Sequence, residues 1–461
     1  MIPRRVIGVE TEYGIFCAST SGSEAPLDAE ESAHRLFASV VAHTHSTSTF
    51  LPNGSRLYLD VGAHPEYATA ECDDIADLIA NDRAGDAIFA HLAEQANTQL
   101  AHEGIAGRIH LLKNNRDSYG NAFGCHENYL LRRRRDFRSR IDALIPFFVT
   151  RQLLVGNGYL RQDDTGMHFA LSQRADHMDD AISAASTRTR PMINTRDEPH
   201  ADAERYRRMH VIVGDSSMCQ ATLALKIGMT EAVLNVLESG AAVPECTLAD
   251  PVQAIRTVCT DLSGRQPLPL AHSGAMSALD IQREIYQVVV THYQRHGWFD
   301  QLDATRRYVF DLWARALNAM ESGDVQSLVR EIDWVAKRYT LQRYCERSGV
   351  SWDDPRVARL DLAWHDITPY GLRQRLEASG ALHMIVPVER IEQARTIPPQ
   401  TTRAKLRGDF VAAAMDRRRD YLVDWLNLRL LEDEGSRGVL LPDPLCFADS
   451  RVDELIAGID S

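Results

Sequence analysis

Two acidic side chains near the start of the chain have the type and spacing that could bind a divalent cation. Glu10 and Glu12 are separated by one residue in an alternating segment, so both carboxylates project from one face of a predicted strand. Like charges this close raise each other's pKa, and a hard cation with oxygen ligands relieves the repulsion. Magnesium is the natural candidate for that cation, but on its own this pattern occurs more often on a strand face open to solvent.

A second alternating segment supplies further oxygen atoms. Tyr58 and Asp60 share one face of a predicted strand after the turn at Pro52-Asn53-Gly54. Glu66 follows a turn that contains Gly62 and could bring this carboxylate back to the same volume. These oxygens complete a cation site only if the two predicted strands are neighbours, which the sequence alone leaves open.

Three other polar segments each allow a functional and a structural interpretation. Residues 124–129 are unusually polar for a core strand and could equally form a polar loop. Residues 194–210 combine acids with arginines, which bind phosphate oxygens in pairs but also form surface ion-pair networks. The run Arg132-Arg133-Arg134-Arg135 is either a solvated face or a docking surface for an acidic protein partner.

Sequence motifs for several other chemistries are missing. There is no G-x-x-x-x-G-K-[ST] loop and no G-x-G-x-x-G after a predicted strand, so a bound nucleotide would be held by metal and arginine on a sheet. There is also no G-x-S-x-G motif of the kind that carries a hydrolase nucleophile.

The composition is that of an ordinary globular enzyme. The 461 residues are 44% hydrophobic and 25% charged, and the formal net charge of −13 argues against nucleic acid or an anionic membrane as the main partner. The eight cysteines form no C-x-x-C pair, which fits a reducing cytoplasm. We find neither a signal peptide nor an apolar run of membrane-spanning length, and we predict a cytoplasmic protein.

The pattern of elements predicts a mixed first part followed by a mainly helical part. A strand is predicted from Val6 to Phe16, and helices are predicted over 221–239, 281–296, 304–320 and 325–347.

A domain boundary is predicted near residue 396. Prolines at 398 and 399 stop the helix that runs from 388 to 395, so we place the boundary there. The last segment should hold a helix near 404–416, a strand over 421–430 and a terminal helix.

Several of these segments together resemble the ligases of prokaryotic ubiquitin-like protein (Pup). The resemblance begins with Gly8-Val9-Glu10-Thr11-Glu12-Tyr13-Gly14 and covers essentially the whole chain. Its other blocks are residues 57–62, 64–72, 124–129, 194–204, 210–215, 277–284, 332–334 and 398–408. It implies an α+β fold of the glutamine synthetase type, with a large domain (1–395) whose curved, mainly antiparallel sheet is backed by helices, and a small C-terminal domain (396–461).

The resemblance also implies a reaction. The side-chain carboxylate of the C-terminal glutamate of Pup would be phosphorylated by ATP, and a lysine of a target protein would then displace phosphate to form an isopeptide bond. This γ-glutamyl phosphate route needs Mg²⁺ and marks the target for proteasomal degradation. The implied partners are therefore Pup and lysine-bearing proteins, with no nucleic acid and no membrane, and we expect a monomer.

Residue roles follow from the same resemblance. The implied metal ligands are Glu10, Glu12, Tyr58, Glu66 and His210. The implied base that deprotonates the incoming lysine is Asp60, because an ammonium group cannot attack. The candidate ATP-binding residues are Arg196, Arg208, Arg403, Arg407 and Trp425, while His126 and Asn128 are expected to line the pocket. The sequence departs from the family pattern at Ser217, Cys219 and Gln220, which matters only if that loop contacts nucleotide or Pup.

Three alternatives remain open at this stage. The sister depupylases share the implied fold and hydrolyse instead of ligating, but the G-x-E-T-E motif and the short segment between residues 43 and 57 favour a ligase. A catalytically inactive Pup-binding adaptor would not need the acidic set described above. A ligase for a free amino acid and a small amine would use the same chemistry.

Overall fold

The computed structural model describes residues 2–22, 24–60, 62–184, 189–432 and 435–459. Val61, which belongs to one of the motifs above, lies outside these residues. The strands are β1 (Ile7–Glu12), β2 (Gly14–Ser19), β3 (Ser48–Phe50), β4 (Arg56–Leu59), β5 (Pro65–Ala68), β6 (Gly107–Leu112), β7 (Cys125–Arg132), β8 (Tyr159–Asp163), β9 (Gly166–Ala170), β10 (Asp180–Ser183), β11 (Pro191–Asn194), β12 (Tyr206–Val211), β13 (Pro267–Pro269), β14 (Ala275–Ser277), β15 (Tyr421–Val423), β16 (Asn427–Glu432) and β17 (Gly435–Leu440).

The α-helices are α1 (Ala29–Thr44), α2 (Ile75–His102), α3 (Phe137–Asp142), α4 (Ile145–Thr150), α5 (Gln152–Val155), α6 (Gln220–Glu238), α7 (Pro251–Thr260), α8 (Ala278–Arg295), α9 (Ala304–Ser322), α10 (Asp333–Ser348), α11 (Pro355–His365), α12 (Arg373–Ala378), α13 (Val388–Ala394), α14 (Ala404–Asp416) and α15 (Ser450–Ala457). Short 3₁₀ turns lie at Ala175–His177, Phe299–Gln301 and Val325–Leu328. The α+β architecture predicted from the sequence is confirmed.

An eight-stranded sheet is the centre of the fold. Its strand order is β10-β11-β12-β7-β1-β5-β4-β3, and every pair is antiparallel except β10 with β11. The first strand of the chain therefore lies near the middle of the sheet, between β5 and β7. The two strands predicted to carry the acidic segments, β1 and β4, are therefore not direct neighbours: β5, which carries Glu66, lies between them and pairs with both.

The alternation of β1 separates a core face from a site face. Ile7, Val9 and Thr11 are buried, whereas Glu10 and Glu12 on the opposite face keep partial exposure. The buried face packs in one hydrophobic cluster with Ile75, Leu78 and Ile79 of α2 and with apolar side chains of α6. Helix α6 is buried along nearly its whole length, which explains why its sequence is apolar on all sides.

The structure corrects the predicted strand at Val6–Phe16. The segment is two strands, because β2 leaves the large sheet and pairs with β6. The change occurs at Tyr13, whose amide donates to the Pro65 carbonyl at 2.8 Å and whose hydroxyl donates to Asp86 at 2.7 Å. A strand pattern cannot reveal such a change of partner.

The predicted helix over 325–347 is also wrong at its start. The structure has the 3₁₀ turn and then begins α10 at Asp333. The buried Asp333 carboxylate accepts hydrogen bonds from the amides of Met218 and Cys219, and its own amide donates to Thr222. These tertiary contacts fix the start of α10 at Asp333, although the local sequence pattern predicts an earlier start.

Two further differences concern elements that the pattern did not resolve. The predicted strand over 421–430 is the hairpin β15–β16, whose turn is closed by the Asp424 carboxylate accepting from the amides of Leu426 and Asn427. Helix α2, which is 28 residues long, was not predicted.

The predicted helices at 221–239, 281–296 and 304–320 are confirmed as α6, α8 and α9, with small shifts at their ends.

The segment after Pro399 has a hydrophobic cluster of its own. Leu406 and Phe410 of α14 pack there against Leu428 and Leu430 of β16 and Val452 of α15. Within the described residues, no helix is both long and apolar enough to cross a membrane.

Candidate functional site

The site face of five adjacent strands collects the polar side chains singled out above. Across the ladder, Glu12 pairs with Glu66 of β5, and Glu66 pairs in turn with Tyr58 of β4. On the other side of β1, Glu10 pairs with His126 of β7. Directly opposite residues on antiparallel strands have neighbouring side chains, so the register alone brings these groups together.

The side chains form two groups of potential metal ligands rather than one shell. Glu12, Asp60 and Glu66 each offer an oxygen within 4.8 Å of the others, and Glu10, His126 and His210 do the same with one carboxylate and two imidazoles. The side chain of Tyr58 is hydrogen-bonded to Glu66. His126 was expected only to line a pocket, yet it lies within this second group.

The group of Glu10, His126 and His210 has charges suited to a cation. Burial raises the pKa of Glu10, but the His126 imidazole at 3.2 Å from Glu10 Oε2 and the nearby His210 imidazole outweigh burial and hold the pKa well below its ordinary value. Burial lowers the pKa of His210 and favours the neutral, metal-binding form. The Nε2 atom of His210 is buried without a hydrogen-bond partner and lies 3.5 Å from Glu10 Oε2. An unpaired buried acceptor beside a carboxylate fits a metal ligand.

The group of Glu12, Asp60 and Glu66 is crowded with negative charge. Burial, followed by the charges of Glu10 and Glu12, raises the pKa of Glu66 well above its ordinary value. Burial and nearby carboxylates likewise raise the pKa of Tyr58. A divalent cation would remove this repulsion, so the oxygen donors present fit Mg²⁺.

Space for a bound group is kept open by a glycine. A Cβ at Gly124 would overlap the ring of His126 and lie 2.7 Å from Glu12 Oε1. Gly124 also accepts a hydrogen bond from the amide of Glu12 at 3.1 Å, which fixes the backbone between the two groups. A larger residue here would fill the volume between the potential ligands.

A cavity lies beside the Glu10 group, between the sheet and the C-terminal segment. Its lining includes Gly8, Glu10, Thr69, Glu71, Asn128, His200, Arg208, Arg403 and Trp425. Arg208 donates to Asn128 Oδ1 at 2.8 Å, and Asn128 donates to Glu10 Oε1 at 3.0 Å. One hydrogen-bonded chain therefore connects a cavity arginine to a potential metal ligand.

The predicted ATP-binding residues separate into three situations. Arg208, Arg403 and Trp425 line the cavity. Arg407 does not line the cavity as described above. It is buried behind Trp425, and its guanidinium carbon lies 4.9 Å from the centroid of the Trp425 ring. Its guanidinium group donates to both Glu71 carboxylate oxygens and to the Gly54 carbonyl. Arg196 is exposed, pairs with Glu198 at 2.8 Å and also lies outside the lining. A direct nucleotide contact of Arg196 or Arg407 stays a prediction.

Glu71 is a central residue that sequence reasoning did not assign. Its buried carboxylate accepts from Arg403 Nε at 2.8 Å and from Arg407 Nη2 at 2.6 Å. Although burial raises its pKa, the two guanidinium groups outweigh burial and lower the pKa to about 2. Glu71 thereby fixes the start of α14 to the large sheet. Its position in the motif that ends at Cys72 was the available signal.

Thr69 and His200 are two other cavity residues that were not predicted. The hydroxyl of Thr69 accepts from the amide of Val9 at 3.0 Å. His200 has the left-handed φ of 47°, and burial together with the positive charge of Arg208 lowers its pKa to about 4. Its ring lies 6.3 Å from that of Trp425, and both residues line the cavity. Thr69 and His200 are far apart in the sequence, and only the fold brings both residues to the same cavity.

The two remaining sequence features have structural surroundings. Ser217, Cys219 and Gln220 are buried just before and at the start of α6, where the Gln220 side chain accepts from the amides of Ile385 and Val386. The departures from the family pattern thus lie at a helix start. In the arginine run, Arg133 forms two hydrogen bonds with Asp197, and Arg134 pairs with Asp136. These ion pairs within the chain favour the solvated face over the docking surface for that run.

Comparison with known proteins gives one consistent family. The family model described as "Pup-ligase protein" matches residues 5–429. A Pup–protein ligase of Xylanimonas cellulosilytica is 51% identical over 98% of this chain and 99% of its own length, and one of Mycolicibacterium smegmatis is 49% identical over 99% and 100%. The crystal structure of a complex between Pup and its ligase PafA matches with a TM-score of 0.92 at 40% identity, covering 99% of this chain and 91% of that one. A PafA structure with ADP matches at 0.85 and 40% identity, covering 94% of each chain. The chain therefore belongs to the Pup ligase family.

Proposed function

We propose that this protein is an ATP-dependent ligase that joins the side-chain carboxylate of the C-terminal glutamate of Pup to a lysine of a target protein. The observation that carries the proposal is the pair of ligand groups, Glu10–His126–His210 and Glu12–Asp60–Glu66, on one face of the sheet, with a cavity lined by arginines beside the first group. Full-length likeness to Pup–protein ligases supports the same function.

The chemistry requires activation of a carboxylate. Oxide is a very poor leaving group, so one carboxylate oxygen must first receive the γ-phosphoryl group of ATP, which gives a γ-glutamyl phosphate and ADP. When bound, Mg²⁺ at the two ligand groups supplies positive charge that offsets the negative phosphate oxygens. We propose Glu10, Glu12, Tyr58, Glu66 and His210 as its ligands, with His126 added by the geometry.

Arginines and rings of the cavity would hold the nucleotide. Arg208 and Arg403 line the cavity, and guanidinium groups are suited to phosphate oxygens. Trp425 and His200 offer flat faces for the base. Arg407, held by Glu71 beneath Trp425, would position that ring rather than bind the nucleotide itself.

Asp60 is the proposed base for the second half of the reaction. Its side chain is exposed, in contrast to the buried Glu66 of the same group, so it can meet a ligand that arrives from solvent. The backbone around it is fixed, since its amide donates to the His64 carbonyl and its carbonyl accepts from Ala63. Asp60 would take a proton from the lysine ammonium, and the neutral amine would then displace phosphate.

Further properties are proposed with the function. Ligation is favoured over depupylation because α1 ends at Thr44 and β3 begins at Ser48, which leaves a short link where depupylases carry an insertion. We also propose the division into domains 1–395 and 396–461, supported by the separate C-terminal hydrophobic cluster. The protein would act as a monomer in the cytoplasm.

Product analysis tests the proposal. The purified protein is incubated with ATP, Mg²⁺, a lysine-bearing acceptor and Pup that ends in either glutamate or glutamine, and products are followed by intact mass. The proposal expects an acceptor–Pup conjugate from the glutamate form with release of ADP. Deamidation of the glutamine form without any conjugate would assign the chain to hydrolysis instead.

Removing a potential metal ligand should weaken cation-dependent nucleotide binding. We expect Glu10→Gln to raise the Kd for ATP in the presence of Mg²⁺ by at least about tenfold, because the neutral amide is a weaker cation ligand. Isothermal titration with and without Mg²⁺ measures this change. Glu94→Gln, on the exposed face of α2, is the matched control. Equal Kd values for the two variants would argue against Glu10 as a ligand.

Removing the ring above Arg407 should weaken nucleotide binding without affecting Pup. Loss of a base-stacking face costs about 1–3 kcal/mol, so Trp425→Ala should raise the KM for ATP by about tenfold or more. Trp425→Phe keeps a flat ring and should recover most of the loss. Steady-state kinetics with ATP and Pup varied separately provides the measurement, and an unchanged KM for ATP in Trp425→Ala would contradict the role of the ring.

A further inference from the structure

The chain has very few lysines for an enzyme that uses lysine as an acceptor. Among its 51 basic residues only Lys113, Lys226, Lys337 and Lys405 are lysines, and the rest are arginines. All four lie within the described residues. Lysine is normally among the most exposed residues in a protein, so the surroundings of each one decide which could react.

Two of the lysines are buried in ion pairs. Lys113 is 1% exposed, and its Nζ lies 2.6 Å from Asp82 and 3.1 Å from Asp86. Lys337 is fully buried, with Nζ 2.6 Å from Asp361 and hydrogen-bonded to the Gly158 carbonyl at 2.8 Å. Removing either ammonium from its site would leave buried carboxylates or carbonyls without a partner.

The third lysine is buried under the central sheet. Lys226 of α6 has no exposed surface, and its Nζ donates to the carbonyl of Asp215 at 2.7 Å. An amine acceptor must reach the reacting carbonyl carbon to within bonding distance. None of these three side chains can do so while the chain stays folded.

Lys405 is different from the other three. Its side chain is 34% exposed on the first turn of α14, and its Nζ pairs with Asp409 at 2.7 Å across one helical turn. A surface pair of this spacing is weak, so the ammonium is released from the pair for a large share of the time. It is open to solvent and to a second protein molecule.

We propose that self-conjugation of this enzyme at lysine side chains is confined to Lys405. The inference rests on the proposed function. In this step the deprotonated Nζ of Lys405 attacks the carbonyl carbon of the γ-glutamyl phosphate, the new C–N bond replaces the C–O bond to phosphate, and inorganic phosphate leaves. ATP supplies the phosphoryl group and becomes ADP, and the ammonium proton passes to the base. The other three lysines stay unmodified because they are buried.

The experiment compares the enzyme with an ordinary acceptor in the same reaction. Enzyme, ATP, Mg²⁺ and Pup ending in glutamate are incubated with a lysine-bearing acceptor, and the intact mass of both proteins is followed. We expect conjugated acceptor, together with enzyme that gains a single Pup, which peptide mapping locates at Lys405. Lys405→Arg should remain at its unmodified mass while conjugating the acceptor as before.

A second variant tests whether exposure sets the site. Arg395 of the segment after α13 is 32% exposed and pairs with Glu392 at 2.8 Å, so it closely matches Lys405 in exposure and pairing. Arg395→Lys combined with Lys405→Arg should restore a single conjugate, now at position 395. An unmodified double variant would overturn exposure as the cause. Modification at Lys113, Lys226 or Lys337, or an unmodified wild-type enzyme beside conjugated acceptor, would overturn the inference. A reaction in which neither protein is conjugated would instead count against the proposed function.

Discussion

The Asp60→Asn variant should bind ATP as tightly as the wild-type protein does and yet form almost no conjugate. A positioned base contributes about 10²–10⁴-fold to a rate, so kcat for conjugation should fall by at least about a hundredfold. Asparagine keeps the shape of the side chain and cannot accept the ammonium proton. Asp60 is exposed at the edge of its ligand group, so the substitution should leave the core of the fold unchanged.

Two measurements separate this role from metal binding. ATP affinity is measured by titration in the presence of Mg²⁺, and conjugate is quantified in single-turnover reactions. If Asp60 acted mainly as a ligand beside Glu12 and Glu66, ATP affinity would fall together with the rate, as expected for Glu66→Gln. If Asp60→Asn forms conjugate at the wild-type rate, another group must be the base.

The second large effect is expected from Glu71→Ala. This substitution leaves the buried guanidinium groups of Arg403 and Arg407 without their shared carboxylate. Breaking a buried pair by removing one partner costs about 3–5 kcal/mol, so the free energy of unfolding in urea should fall by this amount. Glu71→Gln keeps the volume and one acceptor oxygen but removes the negative charge, and it provides a second variant if the alanine form does not fold.

A surface carboxylate supplies the control for Glu71. Glu103 pairs with Arg35 at 2.7 Å, but both side chains are about one third exposed. Such solvent-screened pairs contribute little, and Glu103→Ala should change the free energy of unfolding far less than Glu71→Ala does. Equal losses for Glu71→Ala and Glu103→Ala would mean that the buried pair does not hold the C-terminal segment on the sheet.

The same pair predicts a pH dependence. The two arginines lower the pKa of Glu71 from the ordinary value of 4.5 to about 2 in the folded protein. Its contribution to stability is therefore complete above pH 4.5 and is lost as the pH falls through the folded value of about 2. Between pH 4.5 and about 2, the free energy of unfolding of the wild-type protein should therefore fall more than that of Glu71→Gln. Urea unfolding at each pH measures this difference.

The half of the site that depends on local spacing could be predicted from the sequence. Alternation placed Glu10 and Glu12 on one strand face, and the turn at 52–54 placed Tyr58 on the face of the next segment. Each prediction needed only the two-residue repeat of a strand. The helices α8 and α9 followed in the same way from the helical spacing of their apolar residues.

The other half depends on which strands are neighbours. His126 and His210 are 84 residues apart, and they share a ligand group with Glu10 because β7 lies between β1 and β12. Nothing local in the sequence encodes that order. Likewise, Arg407 has the residue type of a phosphate ligand, but the buried Glu71 carboxylate, more than three hundred residues away, takes its donors. Long-range pairing decided these roles.

The fate of one oxygen atom tests the central claim most directly. Pup is prepared with a heavy oxygen isotope in the side-chain carboxylate of its C-terminal glutamate and is conjugated to an acceptor in ordinary water with ATP and Mg²⁺. Activation by the γ-phosphoryl group transfers one labelled oxygen to inorganic phosphate and yields ADP, and this is the predicted result. Label recovered in AMP, or conjugate formed with unlabelled phosphate, would contradict a γ-glutamyl phosphate intermediate.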